Sequence, residues 1–127
     1  MTIEYCTTPE FEKDFKALLK RFRSLEGDLE TLKSALIETY YKEIPIPQNA
    51  IATISGFCTD DYTVCKIRKI SCRALKGKGS ASGLRIIYLY EKQVCRVTFL
   101  ELYYKGDKEN EDRNRIQNYI NNFLHSD

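Results

Sequence analysis

Residues 83–104 read GLRIIYLYEKQVCRVTFLELYY, and this stretch decides the fold. It is rich in Ile, Leu, Val, Tyr, Phe and Thr, which are typical of strands, and it has one short break at Glu91-Lys92-Gln93. A break of this length usually joins two strands as a hairpin. The stretch therefore predicts two antiparallel neighbours, near 83–91 and 94–104.

A third strand is predicted near 62–72, where the chain reads YTVCKIRKISC. Because strand side chains alternate, Lys66 and Arg68 share one face and the apolar residues between them turn to the core. If this strand pairs with the next one, Arg85 lies near both cations. Cations that converge on one face repel each other, so their convergence favours a bound anion.

Two amphipathic helices are predicted upstream of these strands. A short strand at 3–7 is followed by Thr8-Pro9-Glu10, which is typical of a helix start, and an apolar stripe continues to about residue 23. Asp28 is predicted to cap a second helix that ends near Tyr41. The short link between the helices favours an antiparallel hairpin, and the prolines of IPIPQNA at 44–50 exclude further helix.

The tail from Asp107 is predicted to be helical, with acidic residues at its start and an apolar stripe through Ile116 and Ile120. The element order predicts an α+β domain: an N-terminal strand, a helical hairpin, an antiparallel sheet of three or four further strands with helices on one side, and a C-terminal helix. The segment ISGF at 54–57 fits either a short strand or a loop. A single domain over residues 1–127 is expected from the length.

Charge is unevenly distributed along the chain. Residues 62–105 hold ten Lys and Arg against two Glu, a net charge of +8, whereas residues 1–61 carry −4 and residues 106–127 carry −2. The basic segment includes the Gly/Lys loop KGKGSASG at 76–83, which lacks the spacing of a phosphate-binding P-loop. A basic segment interleaved with tyrosines favours a polyanionic partner such as RNA.

Composition narrows the class of protein. Apolar residues make up 43% of the chain and charged residues 30%, which is typical of a folded domain rather than a disordered chain. The sequence shows neither an apolar run long enough for a membrane span nor a secretory signal, so we expect a cytoplasmic protein. The five cysteines are widely spaced and form no CxxC pair, so they are expected to be reduced and buried rather than disulfide-bonded or metal-bound.

Conventional catalytic sets are poorly represented. The single histidine, His125, lies near the end of the chain, which disfavours a Cys–His or Ser–His–Asp arrangement. The basic segment has only Glu91 and Glu101 as acids, so no metal site and no cofactor are predicted.

The basic segment resembles the C-terminal half of RelE/ParE-superfamily toxins, particularly the HigB-like members. Those proteins show a basic strand, a GKGK-type loop, a G-x-R-[VI]-I-Y strand and a strand ending in Y-x-K before an acidic helix start. Here the corresponding residues are CKIRKI at 65–70, KGKG at 76–79, GLRIIY at 83–88 and YYK at 103–105. The order of elements over nearly the whole chain agrees with the resemblance.

The resemblance implies the toxin of a type II toxin–antitoxin system, an endoribonuclease that cleaves mRNA, usually on the ribosome, without a metal. The ribose 2′-OH attacks the adjacent phosphate, and cations stabilise the developing charge. By position, Arg85 matches the arginine assigned to the scissile phosphate, and Lys66 and Arg68 match cations that bind and activate RNA. Tyr103 or Tyr104 is the candidate proton donor to the leaving oxygen. The predicted RNA contacts are Lys69, Lys76, Lys78 and Lys105.

Two other functions stay open at the level of sequence. A ParE-like chain would inhibit a protein target such as DNA gyrase, but such chains usually lack the catalytic cations, so Lys66, Arg68 and Arg85 favour the nuclease. A degenerate member would bind RNA or antitoxin without cleaving. The resemblance also implies a cognate antitoxin as partner, with the assembly open between a homodimer and a toxin–antitoxin hetero-oligomer.

Overall fold

A five-stranded mixed sheet organises the molecule in this computed structural model, which describes residues 2–75, 77–79 and 82–124. The strands lie in the order β1-β5-β4-β3-β2, and every neighbouring pair is antiparallel except β1 with β5, which is parallel. Their bounds are β1 Glu4–Thr7, β2 Ile51–Thr53, β3 Tyr62–Ile67, β4 Leu84–Glu91 and β5 Arg96–Tyr104. The predicted β4–β5 hairpin is confirmed. The open segment at 54–57 is not a strand, and the short strand lies just before it.

The helical hairpin forms as predicted, with different bounds. Helix α1 spans Pro9–Leu19 and begins at Thr8, whose Oγ1 accepts a hydrogen bond from the Phe11 N–H at 3.2 Å. Helix α2 spans Leu25–Leu32 and continues through a π-helical turn, Lys33–Ile37, into α3, Glu38–Tyr41. The chain enters α2 at Ser24, so the prediction that Asp28 caps this helix is wrong. Asp28 is instead a buried residue inside the helix.

Helices cover both faces of the sheet, which corrects the prediction of helices on one side. The hairpin packs on the face of β4 that carries Ile86, Tyr88 and Tyr90. The other face, with Ile87 and Leu89, is also apolar and therefore needs cover. The C-terminal helix supplies that cover with its apolar stripe.

The C-terminal helix, α4, spans Arg113–Tyr119 and continues as a π-helical turn, Ile120–Leu124. It starts later than predicted, because Asp112 is its cap and accepts a hydrogen bond from the Arg115 N–H at 3.1 Å. The preceding acidic residues therefore lie in a loop between β5 and α4. This loop passes the end of the sheet that carries Lys66 and brings Glu111 next to that lysine. The surface around Lys66, Arg68 and Arg85 is called the basic face below.

A β-bulge changes the alternation of β5. Ile87 lies opposite Glu101, but the next residue, Tyr88, lies opposite Phe99, so Leu100 is an extra residue on β5. As a result Phe99 packs with the helical hairpin while Tyr103 packs on the opposite face. The bulge thus determines which of the two C-terminal tyrosines of β5 lies on the α4 side.

Candidate functional site

The predicted cations lie together at one end of the sheet. Lys66 lies opposite Ile87, and Arg85 lies opposite Tyr103, all with their side chains toward the α4 face. Directly opposite residues in antiparallel strands have Cβ atoms about 5 Å apart. Pairing of β3 with β4 therefore brings Arg85 beside the end of β3, and pairing of β4 with β5 adds a tyrosine.

Arg85 is held by backbone carbonyl groups. Its Nη1 donates to the carbonyl oxygens of Arg68 and Leu84, both at 3.1 Å. Carbonyl oxygens orient the guanidinium without neutralising it, and no ion pair among the described residues involves Arg85. Arg85 therefore presents an oriented, uncompensated positive charge, which is suited to a phosphate.

The glycine of the G-x-R motif, Gly83, shapes the entry to this strand. Its φ is +87°, a conformation that residues with a Cβ rarely adopt. A Cβ at this position would also lie 3.1 Å from Cε1 of Tyr104. The Lys105 N–H donates to the Gly83 carbonyl at 2.8 Å, so this glycine joins the start of β4 to the end of β5.

Lys66 is paired with an acid of its own chain. Its Nζ lies 2.5 Å from Oε1 of Glu111, and the side chains are only 13% and 11% exposed. Arg113 Nη1 lies 3.9 Å from the other carboxylate oxygen. Burial acts to raise the pKa of Glu111, but hydrogen bonds from Lys66 and from its own backbone, with the charges of Lys66 and Arg113, outweigh it, so the pKa lies below its ordinary value. Glu111 is therefore ionised at neutral pH.

A second acid, Glu101, holds the loop that carries Glu111. Glu101 is 2% exposed, forms an ion pair with Lys108, and accepts a hydrogen bond from the Asp112 N–H at 2.8 Å. Lys108 Nζ also lies 5.5 Å from the centre of the Tyr103 ring. The buried charge of Glu101 is thus paired, and the loop between β5 and α4 is attached to the sheet beside Tyr103.

Tyr103 is the tyrosine that lies with the cations. Burial raises its pKa to about 12, with Glu111 and Glu101 adding to the increase and Arg85 and Arg68 opposing it. A phenol with this pKa stays protonated at neutral pH, so it can donate a proton but is a poor base.

Tyr104 lies on the opposite face of the sheet. Its ring centre is 5.2 Å from that of Phe22, and the guanidinium carbon of Arg21 is also 5.2 Å from the Tyr104 ring. Both partners belong to the segment after α1. Tyr104 is therefore a packing residue of the hairpin side, and the structure does not bring it together with Arg85.

The remaining predicted RNA contacts are peripheral. Lys69, Lys78 and Lys105 are exposed, and Arg68 is exposed at the end of β3. Lys76 and His125 lie outside the described residues. Lys69 follows β3, Lys78 precedes β4 and Lys105 follows β5.

The Gly/Lys loop begins at a fixed point on the hairpin. Asp28, 6% exposed, accepts hydrogen bonds from Ser24 Oγ at 2.6 Å, from the Arg73 N–H at 3.2 Å and from Arg73 Nε at 3.1 Å. Ser24 Oγ in turn accepts from the Ala74 N–H at 2.7 Å. The segment that leads into the loop is therefore attached to α2.

Comparison with known proteins identifies the fold. A chain of the crystal structure of the archaeal RelE–RelB complex from Pyrococcus horikoshii OT3 matches over 84% of this chain and 98% of its own length, with a TM-score of 0.51 and 16% identity. The metal-bound toxin from Helicobacter pylori matches over 84% and 99%, with a TM-score of 0.50 and 18% identity. The chain has the RelE-like toxin fold. No protein-family model matches the sequence, and no curated protein matches it.

In this RelE-like fold the basic face does not coincide with the groove beside β1. A groove of about 840 Å³ lies between β1, the start of α1 and α4, lined by residues such as Thr8, Thr98, Asn118 and Phe123. None of the predicted site residues within the described part of the chain lines it.

Other elements of the RelE-like fold bear on the earlier expectations. All five cysteines are free, but only Cys65 and Cys72 are buried, and Cys58 is exposed, so the prediction of uniform burial is wrong. Within the described residues, no three His, Cys, Asp or Glu side chains form a cluster suited to a metal ion. No helix in this part of the chain has the length and apolarity needed to cross a membrane.

Three residues near the centre of the candidate site were not predicted: Lys108, Glu111 and Arg113. The sequence places them after the basic segment, where the cluster of acids was assigned to a helix start. The sequence did not predict that the loop between β5 and α4 folds back toward β3. The acidic run at 109–112 directly after a basic segment was the one sequence signal that pointed to such pairing.

Proposed function

We propose that this chain is the HigB-like toxin of a type II toxin–antitoxin system and that it cleaves mRNA on the ribosome in the cytoplasm. The observation that carries the proposal is Arg85, a guanidinium oriented by two carbonyl groups and free of any ion pair among the described residues, with Lys66, Arg68 and Tyr103 on the same face. RNA is a chain of phosphates, so a fixed cation without an acidic partner suits it.

The reaction follows from these groups. Attack of the ribose 2′-OH on the adjacent phosphate places negative charge on the non-bridging oxygens, and a fixed guanidinium stabilises that charge more than a mobile one. Arg85 supplies this cation, and Arg68 adds a second positive charge at the end of β3. Tyr103 donates a proton to the leaving 5′-oxygen. Lys69, Lys78 and Lys105 bind neighbouring phosphates of mRNA or ribosomal RNA.

A cognate antitoxin is the second proposed partner. The P. horikoshii structure that shares this fold is a complex of RelE with RelB. An acidic antitoxin segment is complementary to the basic face around Arg85 and competes there with RNA. The expected result is that a chain with both Arg85→Ala and Lys66→Ala binds antitoxin and RNA more weakly than wild type. Unchanged affinity for both partners contradicts a shared site.

The test of the proposed function is induced expression in a bacterial host, with growth and new 5′ ends on translated messages as readouts. Wild type is expected to arrest growth and to cut within codons, and Arg85→Ala is expected to lose both effects. Arg23→Ala is the matched control, because it removes the same charge from an exposed position after α1. Loss of cleavage in both variants contradicts a specific role for Arg85.

The same experiment separates the alternatives. Arrest of growth with intact messages favours a ParE-like action on a protein target such as DNA gyrase. Normal growth with intact messages favours a degenerate chain that only binds RNA or antitoxin. Cleavage that persists in Arg85→Ala shows that another group binds the scissile phosphate.

A further inference from the structure

The proposed cleavage requires a group that accepts the proton of the 2′-OH. Tyr103 does not meet this requirement, because a phenol that stays protonated has no free site for a proton. Charged Lys66, Arg68 and Arg85 are donors only. The sequence prediction supplied no base, so the site as first assigned is incomplete.

Glu111 is the acid that the fold brings to this position. It lies in the loop between β5 and α4, and its Oε1 is 2.5 Å from Nζ of Lys66, one of the predicted RNA-activating cations. The loop is held beside Tyr103 by Glu101 and Lys108. The arrangement therefore places a carboxylate among the cations at the end of the sheet without any help from a ligand.

Charged groups from every adjacent element face Glu111. Lys66 lies beside it on β3, and Arg113 lies beside it on α4. On β5, the charge of Glu111 raises the pKa of Tyr103 and the charge of Arg85 lowers it. The surroundings move the two ionisable groups in opposite directions: the pKa of Glu111 is lowered and that of Tyr103 is raised. At neutral pH Glu111 is therefore ionised and Tyr103 protonated, so the first can accept a proton and the second can donate one.

We propose that Glu111 is the general base of the cleavage reaction, an inference that rests on the proposed function. A phosphate that competes for Lys66 frees the Glu111 carboxylate to accept a proton. The 2′-OH proton then moves to Glu111 as the 2′-oxygen bonds to phosphorus, and the bond from phosphorus to the 5′-oxygen breaks. The leaving oxygen takes the proton of Tyr103. The products are a 2′,3′-cyclic phosphate and a 5′-hydroxyl end, and water returns the proton from Glu111 to Tyr103.

The test compares Glu111→Gln with wild type in cleavage of mRNA on ribosomes by the purified full chain. Glutamine keeps the shape of the side chain but cannot accept the proton, so kcat is expected to fall by about 10²- to 10⁴-fold. KM is expected to stay the same or to fall, because a negative charge is removed from a phosphate site. Glu109→Gln is the matched control, since it removes an exposed acid from the same loop and is expected to cleave like wild type.

The pH dependence distinguishes a base from a structural residue. With Glu111 ionised, the wild-type rate is expected to be flat from about pH 5 to about pH 9. Without a base, solvent must ionise the 2′-OH, so the Glu111→Gln rate is expected to rise roughly tenfold per pH unit. Glu111→Asp keeps a carboxylate and is expected to be slower than wild type but equally flat.

Several outcomes overturn the assignment. A Glu111→Gln rate equal to or above wild type shows that Glu111 only blocks Lys66. Parallel, flat pH profiles, or a rising profile in Glu111→Asp, show that Glu111 is not the base. If wild type itself makes no cut while bound to ribosomes, the proposed function fails together with this assignment. If wild type cuts and Arg85→Ala does not, the proposed function stands and the Glu111 result is judged alone.

Discussion

At the scale of single residues, two adjacent tyrosines of β5 have different roles. Tyr103 lies on the face of Arg85, whereas Tyr104 packs against Phe22 on the other face. Tyr103→Phe is expected to lower the cleavage rate about 10²-fold, because it removes the proton donor and keeps the ring. Tyr104→Phe is the matched control and is expected to cleave like wild type. Rates measured side by side decide the matter: an equal loss in both variants contradicts the separate roles.

Side-chain alternation in strands predicted part of the candidate site but not all of it. Side-chain alternation predicted that Lys66, Arg68 and Arg85 lie near one another on the condition that their two strands pair, and the structure meets this condition. The sequence could not show which of Tyr103 and Tyr104 lies on the face of Arg85, because this depends on the bulge at Leu100. A bulge adds one residue to a strand without a change in composition.

At the scale of elements, strand β5 extends beyond its partner β1. β1 pairs only with Arg96–Phe99, so the later residues of β5 have a free edge. The Leu102 N–H donates to Asp14 Oδ2 at 3.0 Å, and the Leu100 carbonyl accepts from Arg115 Nη1 at 3.0 Å. Side chains from α1 and α4 thus satisfy the backbone groups of this edge, and their own ion pair, at 2.7 Å, joins the two helices.

The attachment of the Gly/Lys loop to α2 yields a stability prediction. Asp28→Ala leaves the Ser24 hydroxyl and the Arg73 N–H without their acceptor, so the free energy of unfolding is expected to fall by about 2 to 3 kcal/mol. Arg73→Ala is the control, since its side chain is 72% exposed and its backbone N–H is retained, and a smaller loss than in Asp28→Ala is expected. Urea unfolding measures both. Equal effects contradict the view that the backbone attachment, rather than the exposed ion pair, carries the stability.

The start of a helix was predicted correctly where a capping residue and a proline mark it, and incorrectly where only acidic residues indicate it. Thr8-Pro9 gave the start of α1, because a hydroxyl cap and a fixed φ act locally. The acids at 107–111 were assigned to a helix start, yet they serve tertiary ion pairs with Lys66 and Arg21. A carboxylate stabilises either arrangement, so the pattern of charges could not separate them.

At the scale of the whole molecule, folding redistributes the charge that the sequence displays in blocks. Three cations of the basic segment are paired with acids from other parts of the chain, through Lys66–Glu111, Arg73–Asp28 and Arg96–Glu4. Within the described residues, Arg68 and Arg85 have no such pair. The net charge of a segment therefore predicted the sign of the surface, while only the fold shows which cations stay available to an anion.

The face under the hairpin gives the last prediction, since it buries phenols that must ionise at high pH. The Tyr41 and Tyr88 hydroxyl groups lie 2.9 Å apart, and burial raises the pKa of both, as it raises the pKa of Tyr103 to about 12 on the other face. A tyrosine whose pKa is higher in the folded than in the unfolded state stabilises the fold fully below about pH 10 and loses that contribution as pH rises toward about 12. The free energy of unfolding is thus expected to fall above about pH 10 by about 1.4 kcal/mol per pH unit for each such phenol. Urea unfolding across this range measures the slope, and Tyr88→Phe is expected to reduce it. If wild type shows no slope, or if the variant keeps the wild-type slope, the buried hydroxyl groups are not the cause of the pH dependence.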